Sequence, residues 1–430
     1  MKRYLIPTIL TETEFEELKK KAEGGDAAAQ LQVAFAYEPT LRTYAEELYG
    51  EQFRFWTKEE DRLNRQKGLD FLSKAKNSGN ADAMLLSAYF WQRELDDPDY
   101  DEFGFDKDFG MLDYNYSDEF KEKKNEEILH DLQTSAKGGN DIAAYRYWMA
   151  CFSELWWDDS ALEDNPSFYT RNTCTEAFDC LKSASDNGEM NSSWEAYQFF
   201  THVGYYKEKI QDSTTDDDEK KSCENFLFLF GLNEMSKEEA ANNSIKYLKA
   251  AASQGHAEAQ CDLAKAYRGE MIIDNLYIQR DDNQFECWLS RAMEQDWAEA
   301  YLYLGDMYKN GDGRAKDNDA ARKCYFRVID IISIPMDKRY HFNRIRTDVS
   351  NLIENEEDTR ERAYCGLGDI FDEEGDYSKA AANYEYGGEG RATRYVKKLK
   401  KKGIDIPAWS DYKPYRVGAS EQYNDDFDWD

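Results

Sequence analysis

Apolar positions recur along the chain at three- and four-residue spacing, in paired runs separated by a single turn residue. One pair runs Ser244-Ile-Lys-Tyr-Leu-Lys-Ala-Ala-Ala-Ser-Gln-Gly255, then His256-Ala-Glu-Ala-Gln-Cys-Asp-Leu-Ala-Lys-Ala-Tyr267. The next runs Phe285-Glu-Cys-Trp-Leu-Ser-Arg-Ala-Met-Glu-Gln-Asp296, then Trp297-Ala-Glu-Ala-Tyr-Leu-Tyr-Leu-Gly-Asp-Met-Tyr308. Each run predicts an amphipathic helix. With no room for a loop between runs, each pair predicts an antiparallel hairpin.

Counting from the turn residue as zero exposes the repeat. Zero falls at Gly25, Gly79, Gly139, Gly188, Gly255 and Asp296. Seven positions earlier stand Leu18, Leu72, Leu132, Leu181, Leu248 and Leu289, a leucine in every unit. Three or four positions earlier stand Ala22, Ala75, Ala136, Ala184, Ala251 and Ala292. Four positions later come Ala29, Ala83, Ala143, Ser192, Ala259 and Ala300. Glycine suits the zero position because the residue past a helix end usually needs positive φ. The small residues let two backbones approach, while the leucines and the aromatics at +12 (Tyr37, Trp91, Phe200, Tyr267, Tyr308) fill the seams. Position +9 is small as Ala34, Ala88, Ala264 and Gly305 but bulky as Trp148 and Tyr197. Units three and four are therefore expected to be splayed or filled differently, and Cys151 also departs at +12 in the third.

A hairpin that cannot bury its own apolar face must stack on copies of itself. The predicted fold is all-α, an α-solenoid superhelix of antiparallel helix-turn-helix repeats with long inserts between them. The run Ala300, Leu304-Gly305, Tyr308, Gly311-Asp-Gly313, Ala320-Ala321 resembles the Sel-one-like repeat, a relative of the tetratricopeptide repeat. The resemblance covers roughly residues 12–331 and implies a helical solenoid that works by binding other proteins. The chain departs from that pattern in spacing: successive zero points lie 54, 60, 49, 67 and 41 residues apart. Compact helical repeats need only the mid-thirties to forties.

The expected layout is a repeat solenoid over 1–335 with six to seven hairpins, and inserts near 40–56, 94–118, 157–172, 207–236 and 269–282. Thr11 or Thr13 is expected to cap the first helix, and Ser213 or Thr215 a helix after the fourth hairpin. Tetratricopeptide-like helices and an end cap follow over 336–403, with separate helices expected near 338–356, 375–384 and 389–402. Residues 404–430 read as a mostly irregular tail.

Charge narrows the partner. With 87 acids against 55 Lys and Arg, the net charge is −32, which repels free nucleic acid and attracts a basic protein or peptide. No apolar run is long enough to cross a bilayer, and the start Lys2 to Leu10 lacks a small-residue cleavage site. The eight cysteines share no fixed offset per unit, so the per-hairpin disulfides of some secreted members of the similar family are not expected. These features predict a cytoplasmic monomer.

Catalytic chemistry is not expected, nor is a cofactor or metal. The four histidines (His130, His202, His256, His341) form no ligand spacing, and His256 sits where a helix starts. Asn310-Gly-Asp-Gly313 lacks the lysine-serine of a phosphate loop and the terminal glutamate of a calcium loop. Asp212 and Asp216 to Asp218 read as a solvated acidic loop. The distinctive stretch is Glu94 to Tyr116, where acids and aromatics alternate. It supplies the candidate partner-binding residues Asp99, Tyr100, Asp101, Glu102, Phe103, Phe105, Asp106 and Phe109, with Trp156 and Trp157 after the third hairpin. The leading expectation is a protein-interaction scaffold or adaptor that binds on a concave face. The alternative is an acidic immunity or inhibitor protein that neutralises a basic toxin or nuclease.

Overall fold

A computed structural model of the chain describes residues 9–49, 55–56, 64–95, 117–152, 169–269, 278–334, 349–388 and 390–406. The first helices are α1 (Glu12–Glu23), α2 (Ala27–Tyr37), α3 (Pro39–Tyr49), α4 (Arg65–Asn77), α5 (Ala81–Leu95) and α6 (Asp118–Lys137). Next come α7 (Asp141–Phe152), α8 (Arg171–Asp186), α9 (Met190–Gln211), α10 (Asp217–Leu229), α11 (Lys237–Gln254) and α12 (Ala257–Arg268). The last are α13 (Asp282–Glu294), α14 (Ala298–Asn310), α15 (Asn318–Ser333), α16 (Val349–Glu373), α17 (Tyr377–Tyr386) and α18 (Arg391–Lys401). Ile9–Leu10 and Phe55–Trp56 pair as two-residue parallel strands, β1 and β2. The fold is all-α in class, a succession of helix-turn-helix repeats. It divides into two compact units, one built from the helices up to α11 and the other from α12 onward.

One local device makes the hairpins. Every zero position has positive φ: Gly25 (94°), Gly79 (80°), Gly139 (86°), Gly188 (95°), Gly255 (108°) and Asp296 (56°), the last being the one non-glycine in that region among the described residues. At Gly139 the glycine amide donates to the Ala136 carbonyl at 2.9 Å and the Asn140 amide to the Ser135 carbonyl at 3.1 Å. That pair of bonds is a Schellman closure, and it recurs around Gly25, Gly79, Gly188 and Asp296. The residue after the turn then caps the following helix, Trp297 excepted, which makes no side-chain cap bond. Asp26, Asn80 and Asn140 accept from the amides of Ala29, Ala83 and Ala143 at 2.9, 2.8 and 3.0 Å. The +4 alanine is thus the third residue of the second helix, its amide capped and its methyl buried. At α1 the cap is Thr11, in a capping box with Glu14.

In the first unit the second helix of each hairpin packs on the first helix of the next: α2 on α4, α5 on α6, α7 on α8, α9 on α11. The +12 aromatics make those contacts. Tyr37 stacks on Phe71 (centroids 6.0 Å apart), Trp91 meets Phe120 edge-on (6.0 Å), and Phe200 stacks on Tyr247 (5.5 Å). The leucines at −7 are buried from Leu72 to Leu289, whereas Leu18 in the terminal helix is half-buried.

Two of the expected inserts contain helices. Pro39 closes the first hairpin but also opens α3, since proline is tolerated in a first helical turn. α3 buries Leu41, Tyr44, Ala45 and Leu48 and packs on α5, with Tyr44 edge-on to Tyr89 at 5.3 Å. In the 207–236 region α9 runs on to Gln211, and α10 turns back under the Asp216 cap, not Ser213 or Thr215. α10 fills the volume opened by Trp148 at +9. The rings of Phe152, Phe178, Phe199 and Phe230 lie 4.7, 5.9, 5.4 and 6.0 Å from Trp148. Units three and four are filled differently, by an aromatic cluster.

The second unit shows why a glycine stands at 305. A Cβ there would lie 2.9 Å from Tyr325 Cε1, and one on Gly366 would lie 2.4 Å from Tyr325 Cζ, so the ring fits only between two bare backbones. The Tyr325 hydroxyl donates to Asp306 Oδ1 at 2.7 Å. Residues 349–373 form one 25-residue helix where the sequence suggested a break near 356, because neither glycine nor proline interrupts Asn355 to Ala363. Its acidic end is clasped from several sides. Lys309 (2.7 Å) and Tyr384 (2.7 Å) reach Asp369, Tyr395 reaches Asp372 (2.6 Å), and Lys316 reaches Glu373 (2.8 Å).

Candidate functional site

The partner-binding residues picked from the sequence (Asp99, Tyr100, Asp101, Glu102, Phe103, Phe105, Asp106, Phe109, Trp156 and Trp157) lie outside the described residues. The roots of the 96–116 insert are described. Trp91 near the end of α5 meets Phe120 at the start of α6, and Lys124 Nζ lies 4.5 Å from the Trp91 ring centroid. Arg65 pairs with Glu94 beside the same root.

A groove of about 560 Å³ lies between the α6–α7 turn and α8. Its lining includes the small residues Ala136, Gly139, Ala144 and Ala184, which permit close helix approach. Its polar wall carries Lys137, Asp141, Glu176 and Asp179. Glu176 accepts from Gln133 (2.7 Å) and pairs with Lys137 (2.8 Å). Asp141 accepts from Asn187 (2.9 Å), and Asp179 pairs with Lys182 (2.8 Å). All these partners are local, and the wall is solvent-accessible, so an incoming cation can displace them at little net cost.

The groove holds no activated nucleophile. Burial raises the Cys180 thiol above its ordinary range, and the neighbouring Glu176 charge adds to the shift. On α7 and α8, burial pushes the Cys151 and Cys174 thiols up to about 12. Protonated thiols of this kind behave as small apolar groups.

The remaining polar candidates have structural work. His256 caps α12, its Nδ1 accepting from the Ala259 amide at 3.3 Å, and full burial lowers its pKa to about 3. Asp312 in the Gly311–Gly313 loop pairs with Arg268 at 2.7 Å. Asp216 caps α10, and Asp212 accepts from the Thr214 amide at 2.8 Å and its hydroxyl at 2.9 Å. Among the described residues no group of three or more His, Cys, Asp or Glu is placed to hold a metal. Among them, too, no helix is long and apolar enough to cross a membrane.

Sequence reasoning missed Glu195, which is buried on α9. Burial raises its pKa to about 7, with the nearby Glu189 charge acting in the same direction. The available signal was one acid inside the apolar run Trp194 to Phe200.

No protein-family model matches the chain, and neither does any curated protein. Solved structures similar to it include two with a helical repeat description. One is a Sel1 repeat protein from Oxalobacter formigenes, 17% identical over 74% of this chain and 75% of that one, with a TM-score of 0.36. The other is a protective antigen present in uropathogenic Escherichia coli strains, described as displaying an SLR fold; it is 14% identical over 91% of this chain and 76% of that one, with a TM-score of 0.33. The description of this chain as a helical repeat protein rests on its own register and turn geometry.

Proposed function

We propose that this chain is a non-catalytic scaffold that binds a basic protein or peptide. The carrying observation is that three carboxylates, Asp141, Glu176 and Asp179, line one groove together with small side chains. A lysine or arginine of the partner enters over the alanines and takes the carboxylates from Lys137, Lys182 and Asn187. The carboxylate excess of the chain steers that partner inward, which raises the association rate more than the affinity. The alternating acids and aromatics of 99–109 supply further contacts, the aromatics giving the desolvated area that slows dissociation. The protein acts in the cytoplasm as a monomer. The net charge of −32 also favours a narrower form of this reading, an inhibitor that covers a basic toxin or nuclease.

The test is affinity capture at low salt on the immobilised full chain, beside the variant carrying Asp141→Asn, Glu176→Gln and Asp179→Asn. A basic protein retained by the parent and lost by the variant is expected. If both retain the same proteins, or the retained proteins are not basic, the groove is not the binding surface. A captured nuclease whose activity the chain blocks would select the inhibitor.

A further inference from the structure

The last helix is opposite in charge to the rest of the chain. From Arg391 to Lys402 there are seven cations and no acid, in a protein whose net charge is −32. Lys397, Lys398, Lys400, Lys401 and Lys402 are all exposed. None of the five makes an ion pair among the described residues, although lysines and arginines elsewhere pair repeatedly with the plentiful carboxylates.

The fold fixes which way this face points. Ala392 and Leu399 are buried, and the Tyr395 hydroxyl donates to Asp372 Oδ1 at 2.6 Å while its ring lies 4.8 Å from that of Tyr384. Rotation of α18 about its axis would break those contacts, so the lysines are held outward. Helix stability does not account for them. Cations in the last turn do favour the negative end of the helix dipole. Against that, Lys397 with Lys400 and Lys401, and Lys398 with Lys401, are like charges at three- and four-residue spacing, an arrangement that destabilises a helix. A single lysine in the last turn would satisfy the dipole without that repulsion.

We propose that this face of α18 is a docking surface for an acidic segment of another protein, a second interface of charge preference opposite to the groove's. Charge complementarity argues for an anion, and size and surroundings argue for a protein segment. The helix is about 16 Å long at 1.5 Å per residue. A duplex or a membrane surface extends well beyond a patch of that length. A short acidic segment lies within the Debye length of the lysines, about 8 Å at physiological ionic strength, while the more distant carboxylates are screened. The face offers no exposed aromatic on which bases stack, since Tyr395 is half-buried and engaged with Asp372. It also offers no exposed apolar side chain for insertion into lipid, since Leu399 is buried and Val396 half-buried.

The probe is a fluorescein-labelled oligoglutamate, titrated with the full chain and followed by anisotropy. Replacing Lys397, Lys398, Lys400, Lys401 and Lys402 together by Gln should weaken binding about tenfold or more and flatten its salt dependence. Replacing Lys19, Lys20 and Lys21 of α1 by Gln should leave it unchanged. Circular dichroism checks the fold, and the Lys398→Gln, Lys402→Gln pair, expected to give a smaller loss in the same direction, serves if the fivefold variant is unstable. Equal loss from the α1 variant, or no loss from the α18 variants, overturns the proposal. So does tighter, α18-dependent binding of duplex DNA or of phosphatidylserine vesicles, which assigns the face to nucleic acid or membrane. Self-association in sedimentation that the α18 variant abolishes assigns it to a second copy. A gain in oligoglutamate binding on removal of residues 407–430 assigns it to the chain's own tail. The groove variants do not enter this experiment, so its failure leaves the proposed function standing.

Discussion

The Ala259 amide donates to Nδ1 of His256 at 3.3 Å, so the start of α12 is capped by an imidazole that must stay unprotonated at that nitrogen. Asn or Asp would serve as a cap in water. Full burial makes a neutral group with an apolar body the better choice here.

That relationship predicts an acid limit. The folded pKa of His256 is near 3, below the ordinary 6.5, so the unfolded chain binds the extra proton first as pH falls. Its stabilising contribution is fully present above pH 6.5 and is lost towards 3, at about 1.4 kcal/mol per pH unit. His256→Asn keeps an acceptor at the cap and removes the titration. Urea unfolding of the second unit should lose less stability between pH 6 and 4 in the variant than in the parent. An identical pH profile would remove His256 from the account.

Glu195 acts in the opposite direction and in the first unit. Its folded pKa is near 7 against an ordinary 4.5, so the native state binds the extra proton. Stability of that unit should therefore be highest below pH 4.5 as far as this group is concerned, and fall as pH rises through 7, by about 3 kcal/mol in all. Glu195→Gln should abolish that fall and stabilise the first unit at pH 8. A variant less stable than the parent at pH 8 would mean that the carboxylate has a compensating charged partner.

The turn register was legible in the sequence because each of its positions answers one local requirement. Positive φ selects glycine at zero, close backbone approach selects alanine, and burial selects leucine at −7. The helices α3 and α10 were less legible. Their apolar residues fall outside the hairpin template, and Pro39 reads equally as a stop or a start. The groove was not legible at all. Asp141 comes from α7 and Glu176 and Asp179 from α8, and among 87 acids nothing in sequence distinguishes these three. Only the packing of α7 against α8 brings them to one wall.

The turn itself can be tested with little interference from packing. A Cβ on Gly188 meets nothing within 4 Å, yet φ there is 95°. Gly188→Ala should destabilise the first unit by about 1–2 kcal/mol through backbone strain alone. Asp296→Gly makes the reverse change at φ 56° and should be neutral or slightly stabilising, since the exposed pair it forms with Arg327 contributes little. Denaturant midpoints decide both. A destabilising Asp296→Gly would show that the side chain, not the backbone, closes that turn.

The leucine seam gives a graded prediction. Leu248 and Leu289 are 0% and 1% exposed, whereas Leu18 is half-buried on the terminal helix. Leu248→Ala and Leu289→Ala should each cost about 2–5 kcal/mol, with Leu18→Ala well below them. The grading follows from position in the stack: an interior leucine is covered by neighbouring hairpins, and a terminal one only from one side. Equal losses at Leu18 and Leu289 would mean that residues before Ile9 complete the seam. Losses below about half a kilocalorie at both interior sites, the scale of ordinary surface changes, would refute the register.

The thiols provide the last test, because their reactivity depends on both burial and ionisation. All eight cysteines are unbridged; Cys287 on α13 is exposed, Cys180 and Cys365 are half-buried, and the other five are buried. Desolvation raises the Cys151, Cys174, Cys261 and Cys324 thiols, the last to about 12, so their reactive thiolate is scarce as well as inaccessible. Under native conditions at pH 8 a thiol reagent should label Cys287 in a fast phase. Cys180 and Cys365 should follow slowly, because burial raises both of those thiols as well. The remaining five should wait for unfolding, and denaturant should then reveal all eight. Cys287→Ser should remove the fast phase and leave the slow ones. Fast labelling of Cys151 or Cys174 would be the damaging result, since Cys151 is buried on α7 beside Tyr147 and Cys174 is buried on α8. It would mean that α7 and α8 part readily, and that the wall of Asp141, Glu176 and Asp179 is not held in place for a partner.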